Sequence, residues 1–120
     1  MATDDTSCSI APYFLIAEGK AAEFKAISDL MVESTTKEPG CLYYGFSFAD
    51  GTAYCREGYA DADALLAHAA NAGPLLEQLL GVSTMVRMEI HGPAEELDKL
   101  RGPLSGLGPT FYVLESGFKR

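Results

Sequence analysis

The sequence predicts one α+β domain whose strands and helices follow the split βαβ order, β-α-β-β-α-β. Hydrophobic residues alternate between the two-residue repeat of strands and the 3.6-residue repeat of helices. An Asp-Gly pair at residues 50–51 separates two short alternating runs, which is a strong hairpin signal. The chain has 120 residues, 48% of them hydrophobic, which is enough for a single domain with its own core.

The first half of the chain contains three predicted strands and one helix. Residues 10–18 are rich in aromatic and branched side chains, which favour a strand. Pro12 lacks an N–H group, so we expect it near the start of this strand or at a sheet edge. Apolar residues at helical spacing predict a helix over residues 20–36. Residues 41–48 and 52–59 form the predicted hairpin.

The second half continues the alternation. Asp61 is the predicted N-cap of a helix that Gly73 and Pro74 should interrupt, with a shorter apolar helix over residues 75–80. The remaining predicted elements are a strand over residues 83–91, a short helix after Pro93 and a last strand over residues 110–118. The expected fold is therefore ferredoxin-like, with an antiparallel sheet and an extra C-terminal helix and strand.

Charge and composition limit the expected partners and compartment. The net charge of −8 disfavours contact with phosphate backbones, so nucleic acid is not an expected partner. No apolar run approaches the ~20 residues that span a membrane. Residues 1–9 are polar and do not resemble a signal peptide, so we expect a flexible tail before a domain over residues 10–120. Three cysteines, an odd number, favour reduced thiols and a cytoplasmic location.

Two principal helices can cover only one face of the predicted sheet. The other face would carry side chains such as Tyr43, Tyr54 and Val86, and it has to be buried elsewhere. A second copy of the same sheet is the simplest cover. We therefore predict a homodimer.

Three segments resemble the antibiotic biosynthesis monooxygenase domain family of dimeric α+β barrels. They are EPGCLYY at residues 38–44, REGY at residues 56–59 and ADADALLAH at residues 60–68. The family usually carries E-x-W-x-D followed by A-L and A-H, and Glu57 and His68 match the Glu and the His. Tyr59 stands where the family has Trp, and Gly73 where it often has a second His. The resemblance covers about residues 10–91 and implies a cofactor-independent monooxygenase or related oxidoreductase acting on a small phenolic or quinol-like molecule.

No cofactor or metal is expected. The two histidines, His68 and His91, form neither H-x-H nor H-E-x-x-H, so the sequence contains no recognisable metal motif. Residues 106–108 (GLG) lack the remainder of a dinucleotide fingerprint. The chain also has no Trp, whereas the haem-degrading branch of the family places a Trp beside its haem.

His68 and Glu57 are the predicted catalytic residues. A neutral imidazole at His68 could take a proton from an acidic phenol or enol. Glu57 could orient His68 or act as the base itself. A purely structural alternative has His68 bonded to a backbone carbonyl and Glu57 paired with Arg87 across the sheet.

Tyr59, Asn71, Arg87 and Tyr44 are the predicted substrate-binding residues. Tyr59 shares a strand face with Glu57, and Asn71 lies one helical turn after His68. Arg87 is a lone cation in an apolar strand and could hold an enolate or a superoxide-like anion. Core or interface packing explains the tyrosines equally well.

The sequence is compatible with three functions. The first is the monooxygenase, the second a non-catalytic small-molecule-binding or stress-associated barrel dimer, and the third an isomerase or lyase on the same fold. We expect the ligand pocket between the sheet and the helix that carries His68. A polar edge on an enclosed pocket would favour an enzyme, and a pocket packed shut by Leu and Met would favour the second function.

Overall fold

The computed structural model describes residues 3–120 as a five-stranded mixed sheet with three α-helices. The strands are β1 (Cys8–Ile16), β2 (Cys41–Ala49), β3 (Thr52–Tyr59), β4 (Ser83–Gly92) and β5 (Thr110–Val113). The helices are α1 (Ala21–Thr35), α2 (Ala62–Leu80) and α3 (Ala94–Leu100), and a 3-10 turn spans Ser105–Leu107. The predicted β-α-β-β-α-β order, with its extra helix and strand, is confirmed.

The strand order across the sheet is β2-β3-β1-β4-β5. The first four strands are antiparallel neighbours in the ferredoxin-like order, whereas β5 pairs with β4 in parallel. The four ferredoxin-like strands form the predicted antiparallel sheet, and the extra strand β5 makes the complete sheet mixed. The chain leaves β4, crosses over through α3 and the 3-10 turn, and returns in the same direction, as a parallel neighbour requires.

The predicted N-terminal tail is shorter than expected. Met1 and Ala2 lie outside the described residues, but Cys8 and Ser9 already belong to β1. The neighbouring strands β3 and β4 both extend alongside these residues, so Ser9 pairs with Gly58 of β3 and with His91 of β4. Hydrogen bonds within the sheet thus satisfy backbone groups of residues that their polar composition had placed in the predicted tail.

Pro12 lies in the middle of a central strand, which corrects the expected edge position. It pairs with Met88 of β4, but the ladder between β1 and β3 skips from Ile10 to Tyr13. A proline cannot donate a ladder hydrogen bond, so the missing N–H coincides with this gap. Ala11 and Pro12 therefore pair on one side of β1 only.

Helix α2 runs without a break through Pro74, although the sequence predicted an interruption there. Both halves of the helix contribute to the core, with Leu65, Ala72 and Leu79 buried. Ala70, four residues before the proline, is exposed, so its carbonyl group can bind water instead. Packing along the whole length outweighs the one lost helical hydrogen bond.

Two predicted local signals are confirmed. Asp61 caps α2, with its Oδ1 accepting a hydrogen bond from the Ala64 N–H at 2.8 Å. Asp50 and Gly51 join β2 to β3 with φ angles of 49° and 78°, the left-handed conformation that a tight hairpin turn needs. Gly51 adopts this angle at no steric cost.

The helices cover one face of the sheet and leave the other face open. On the open face the rings of Tyr13 and Tyr54 stack with centroids 4.8 Å apart. Leu15 is 50% exposed and Val86 58% exposed. No helix within residues 3–120 combines the length and the apolar character needed to cross a membrane.

Candidate functional site

A cavity of about 190 Å³ lies between the covered face of the sheet and helices α1 and α2. Most of its wall is apolar, and three methionines contribute to it: Met31, Met85 and Met88. Its polar lining groups come from Glu57 and Cys55 on β3, His68 on α2 and Tyr44 on β2. A larger groove of about 610 Å³ between the two terminal segments is open and lies along the uncovered side. The enclosed cavity is therefore the better candidate site.

Glu57 is a carboxylic acid in an almost dry environment. Strand alternation places it on the covered face between Cys55 and Tyr59, and only 6% of its surface is exposed. Burial raises the pKa of Glu57 to about 7, because a charged carboxylate loses its hydration there. The Tyr59 hydroxyl donates a hydrogen bond to Oε1 of Glu57 at 2.7 Å and partly offsets the increase in pKa. Glu57 can therefore hold or release a proton near neutral pH.

His68 lies between two carboxyl groups. Its Nδ1 is 2.9 Å from Oε1 and 3.0 Å from Oε2 of Glu38, and its Nε2 is 3.4 Å from Oε1 of Glu57. Burial lowers the pKa of His68, although Glu38 opposes this change. A neutral His68 beside a protonated Glu57 is thus the state that burial favours.

Glu38 belongs to the site, although the sequence did not single it out as a functional residue. It lies in the turn between α1 and β2, and an added Cβ on the nearby Gly40 would lie 2.5 Å from the Cβ of Ala64. The absent side chain lets this turn approach α2 closely. The EPG motif marked the turn in the sequence, but only the fold brings Glu38 to His68, 30 residues away.

The two site tyrosines have different positions. Tyr44 lines the cavity, and its ring centroid lies 5.1 Å from that of His68. Tyr59 is fully buried behind Glu57, also with its ring centroid 5.1 Å from that of His68. Burial raises the pKa of both phenols, so each hydroxyl keeps its proton and remains a hydrogen-bond donor.

Comparison with known proteins places the chain in a family. No family model and no curated protein matches it. A Nitrosomonas europaea protein assigned as an antibiotic biosynthesis monooxygenase matches with a TM-score of 0.68 at 15% identity. The match covers 78% of this chain and 96% of that protein. SnoaB, a cofactor-independent oxygenase from Streptomyces nogalater, has a TM-score of 0.63 at 19% identity, covering 71% and 90%. MupZ from Pseudomonas fluorescens is 49% identical over 95% of this chain and 94% of its own, with a TM-score of 0.91. This chain belongs to the same family as MupZ, and it has the α+β fold of the antibiotic biosynthesis monooxygenase-like proteins.

The residues that carried the family resemblance converge at the cavity. Glu57, Tyr59 and His68 are in mutual contact, as the expected pocket between the sheet and the histidine helix requires. Tyr59 does not line the cavity, so in this family member it contacts Glu57 and not the cavity space. Its hydroxyl orients the carboxyl group.

Like Tyr59, Asn71 and Arg87 do not line the cavity, and both lie nearer the surface. The Asn71 amide donates hydrogen bonds to Oε2 of Glu38 at 2.7 Å and to Oγ of Ser34 at 3.1 Å, near the surface. Arg87 is 61% exposed on the open face and pairs with Glu89. The alternative of an Arg87–Glu57 pair is therefore wrong.

A local irregularity explains why Val86 and Arg87, although consecutive in β4, both lie on the open face. The pairing of β4 with β1 shifts between Tyr13 and Phe14, and this leaves Val86 without a partner. Val86 and Arg87 are consequently both exposed. No Lys or Arg side chain is among the residues that line the cavity.

The C-terminal appendage contributes two cavity residues that the sequence did not reveal. Leu104 is 5% exposed and packs on the core, and Leu107 of the 3-10 turn is 36% exposed at the rim. Within residues 3–120, no group of three or more His, Cys, Asp or Glu side chains could hold a metal ion.

Proposed function

We propose that this protein is an enzyme that transfers a proton to or from a small, largely apolar molecule, with Glu57 as the acid–base group. One observation carries the proposal. Glu57 is a buried carboxyl group that faces an apolar cavity and has a pKa of about 7, the range in which general acids and bases work best.

Each neighbouring group has a part in this chemistry. In its protonated form Glu57 donates a proton to an oxygen of the bound molecule, and in its ionised form it takes one back. The Tyr59 hydroxyl holds Oε1 in place, and the neutral Tyr44 hydroxyl donates a hydrogen bond to the bound molecule. The apolar wall excludes water and strengthens these interactions.

The cavity favours a reaction without a net redox change, such as that of an isomerase or lyase. A protonated Glu57 is an acid, and no Lys or Arg lines the cavity to hold a fully developed anion. In such a reaction Glu57 protonates an oxygen or carbon atom while a proton leaves elsewhere in the molecule.

Cofactor-independent oxygenation is the second candidate, and the family favours it because SnoaB is a cofactor-independent oxygenase. In that case an ionised Glu57 would take a proton from a phenolic or quinol-like molecule, and the resulting anion would supply the electrons to O₂. His68 in its protonated form would then be the cation nearest to the anion.

A ligand screen followed by product analysis tests the proposal. Small phenols, quinols and uncharged oxygen-containing apolar molecules are screened by thermal shift, and the hits are incubated with the enzyme. Glu57→Gln should lower turnover by about 10²–10⁴-fold, the usual contribution of a general acid or base, and so should His68→Ala. Glu77→Gln, an exposed change on α2, is the control. A product of unchanged mass, or one formed by elimination without O₂ uptake, supports the first candidate, and stoichiometric O₂ uptake supports the second. A folded Glu57→Gln protein with normal turnover would contradict the proposal.

We also propose that two copies pair through the open face of the sheet. Leu15, Val86 and the stacked tyrosines would be buried there, as the family name implies and as the exposed apolar side chains require. The unpaired thiols of Cys8, Cys41 and Cys55 support a cytoplasmic location.

A further inference from the structure

Glu38 and His68 connect the buried Glu57 with the surface of the protein. We propose that Glu38 is a positioning residue that holds His68 with its proton on Nδ1, and that this pair carries the proton which Glu57 exchanges with solvent. The inference rests on the proposed acid–base role of Glu57 and explains how that group is reset after each reaction.

The hydrogen-bond geometry determines the tautomer of His68. Both oxygens of Glu38 lie within 3.0 Å of Nδ1, and an ionised carboxylate can only accept hydrogen bonds. With Glu38 as a carboxylate, Nδ1 is the donor, and in a neutral imidazole Nε2 is then a free acceptor.

The free Nε2 faces the group that needs a proton acceptor. It lies 3.4 Å from Oε1 of Glu57, and a small rotation of either side chain brings the two atoms to hydrogen-bond distance. A proton that moves from Glu57 to Nε2 leaves a carboxylate next to an imidazolium. Glu38 stabilises the imidazolium, takes its Nδ1 proton and passes it to water. In the reverse direction Glu38 returns a proton to Nδ1 while Nε2 returns one to Glu57, which restores the starting tautomer.

Glu38 provides the outlet to water. It lines a surface hollow of about 260 Å³ together with Thr35, Cys41 and Tyr44, and its side chain is 14% exposed. Once an apolar molecule fills the inner cavity, the cavity no longer offers Glu57 a path to water. The route through His68 then remains, because His68 contacts both Glu57 and Glu38 directly.

The surroundings of His68 make Glu38 the suitable exchange partner. The other titratable side chains in contact with His68 come from β2 and β3 and are Tyr44, Tyr59 and Glu57. Burial raises the pKa of both phenols, so neither gives up a proton near neutral pH. From α1, Ser34 reaches the site only through Asn71.

Nuclear magnetic resonance tests the inference without a substrate. In the wild-type protein, ¹⁵N–¹H correlations of the His68 ring should show the Nδ1–H tautomer wherever the ring is neutral. In Glu38→Gln the amide can either donate or accept, so this preference should be lost and the pKa of His68 should fall. Exchange broadening of the ¹³C-labelled Glu57 carboxyl signal near pH 7 measures the rate of proton exchange. This rate should be at least about tenfold lower in Glu38→Gln than in the wild-type protein.

Two further variants separate the possible outcomes. Glu38→Asp keeps the carboxylate and should restore the tautomer, whereas the exposed change Glu33→Gln should leave both signals unaltered. An Nε2–H tautomer in the wild-type protein would overturn the inference even if Glu38→Gln failed to fold. So would unchanged Glu57 exchange in a folded Glu38→Gln protein. If the NMR results hold but Glu57→Gln retains full turnover, the relay stands and the acid–base function of Glu57 fails.

Discussion

At the scale of single residues, burial gives Glu57 its chemical character. The same carboxyl group on an exposed strand position would be ionised at neutral pH. Here burial between the covered sheet face and the apolar cavity raises the pKa of the carboxyl group to about 7, so Glu57 changes charge near neutral pH. Tyr59 donates a hydrogen bond to Glu57 and His68 lies beside it, so the site has an acid, a donor and an acceptor within one cluster.

This environment makes the stability of the protein depend on pH. Glu57 keeps its proton up to about pH 7 in the folded state, but releases it near the ordinary value of 4.5 when unfolded. Between these values the unfolded state binds fewer protons, so the free energy of unfolding falls as the pH rises. The pKa change corresponds to about 3 kcal/mol.

Chemical denaturation between pH 5 and pH 8 measures the effect. The Glu57→Gln variant should lose this part of the pH dependence because its amide stays neutral, whereas the exposed Glu77→Gln should keep it. Parallel pH profiles for wild type and Glu57→Gln would show that Glu57 ionises at the same pH in both states.

At the scale of elements, α2 and the turn before β2 position the site jointly. α2 carries His68, and its N-terminus is held by Asp61 and by Glu96 of α3, whose Oε1 accepts a hydrogen bond from the Ala62 N–H at 3.0 Å. The turn carries Glu38. The close approach of Gly40 to Ala64 sets how near these two elements lie.

A double-mutant cycle tests this contact. Gly40→Ala should destabilise the protein by about 1–3 kcal/mol, because its methyl group overlaps that of Ala64 and forces the turn away from the helix. Ala64→Gly alone should cost about 1 kcal/mol of helix stability. The double variant removes the overlap, so it should be more stable than the sum of the two single changes by at least about 0.5 kcal/mol. Purely additive free energies of unfolding would show that the two residues do not limit the approach.

At the scale of the whole molecule, the uncovered sheet face is the proposed dimer interface. The helices cover the cavity side of the sheet. On the other side Val86 is 58% exposed and Leu15 is 50% exposed. A single-charge change at the centre of this face should therefore affect assembly without touching the cavity.

Sedimentation equilibrium measures assembly directly. The wild-type protein should have about twice the chain mass of 12.8 kDa, and Val86→Glu should shift it toward the monomer because a charge would be buried at the interface. Leu30→Glu on α1, at a residue 51% exposed, is the control and should remain a dimer. A wild-type monomer at micromolar concentration would contradict the dimer proposal.

The sequence by itself determined the order of elements, the hairpin and the helix cap. These features depend on residues that are close along the chain or on simple periodicity, so local spacing carries them. Asp61 and the Asp50–Gly51 turn act within a few residues of their own position. The family resemblance lay in the same local segments.

Only the tertiary structure decided the remaining features. Pro12 is tolerated in a central strand because one neighbour leaves a gap, and α2 continues through Pro74 because its packing outweighs one hydrogen bond. Alternation with the buried Met88 places Arg87 on the open face, and a register shift between strands adds Val86 to that face. Glu38 reaches His68 across 30 residues only because the turn packs on α2. Each outcome depends on contacts between segments that are distant in sequence. The energies of such contacts cannot be inferred from the local spacing of residues.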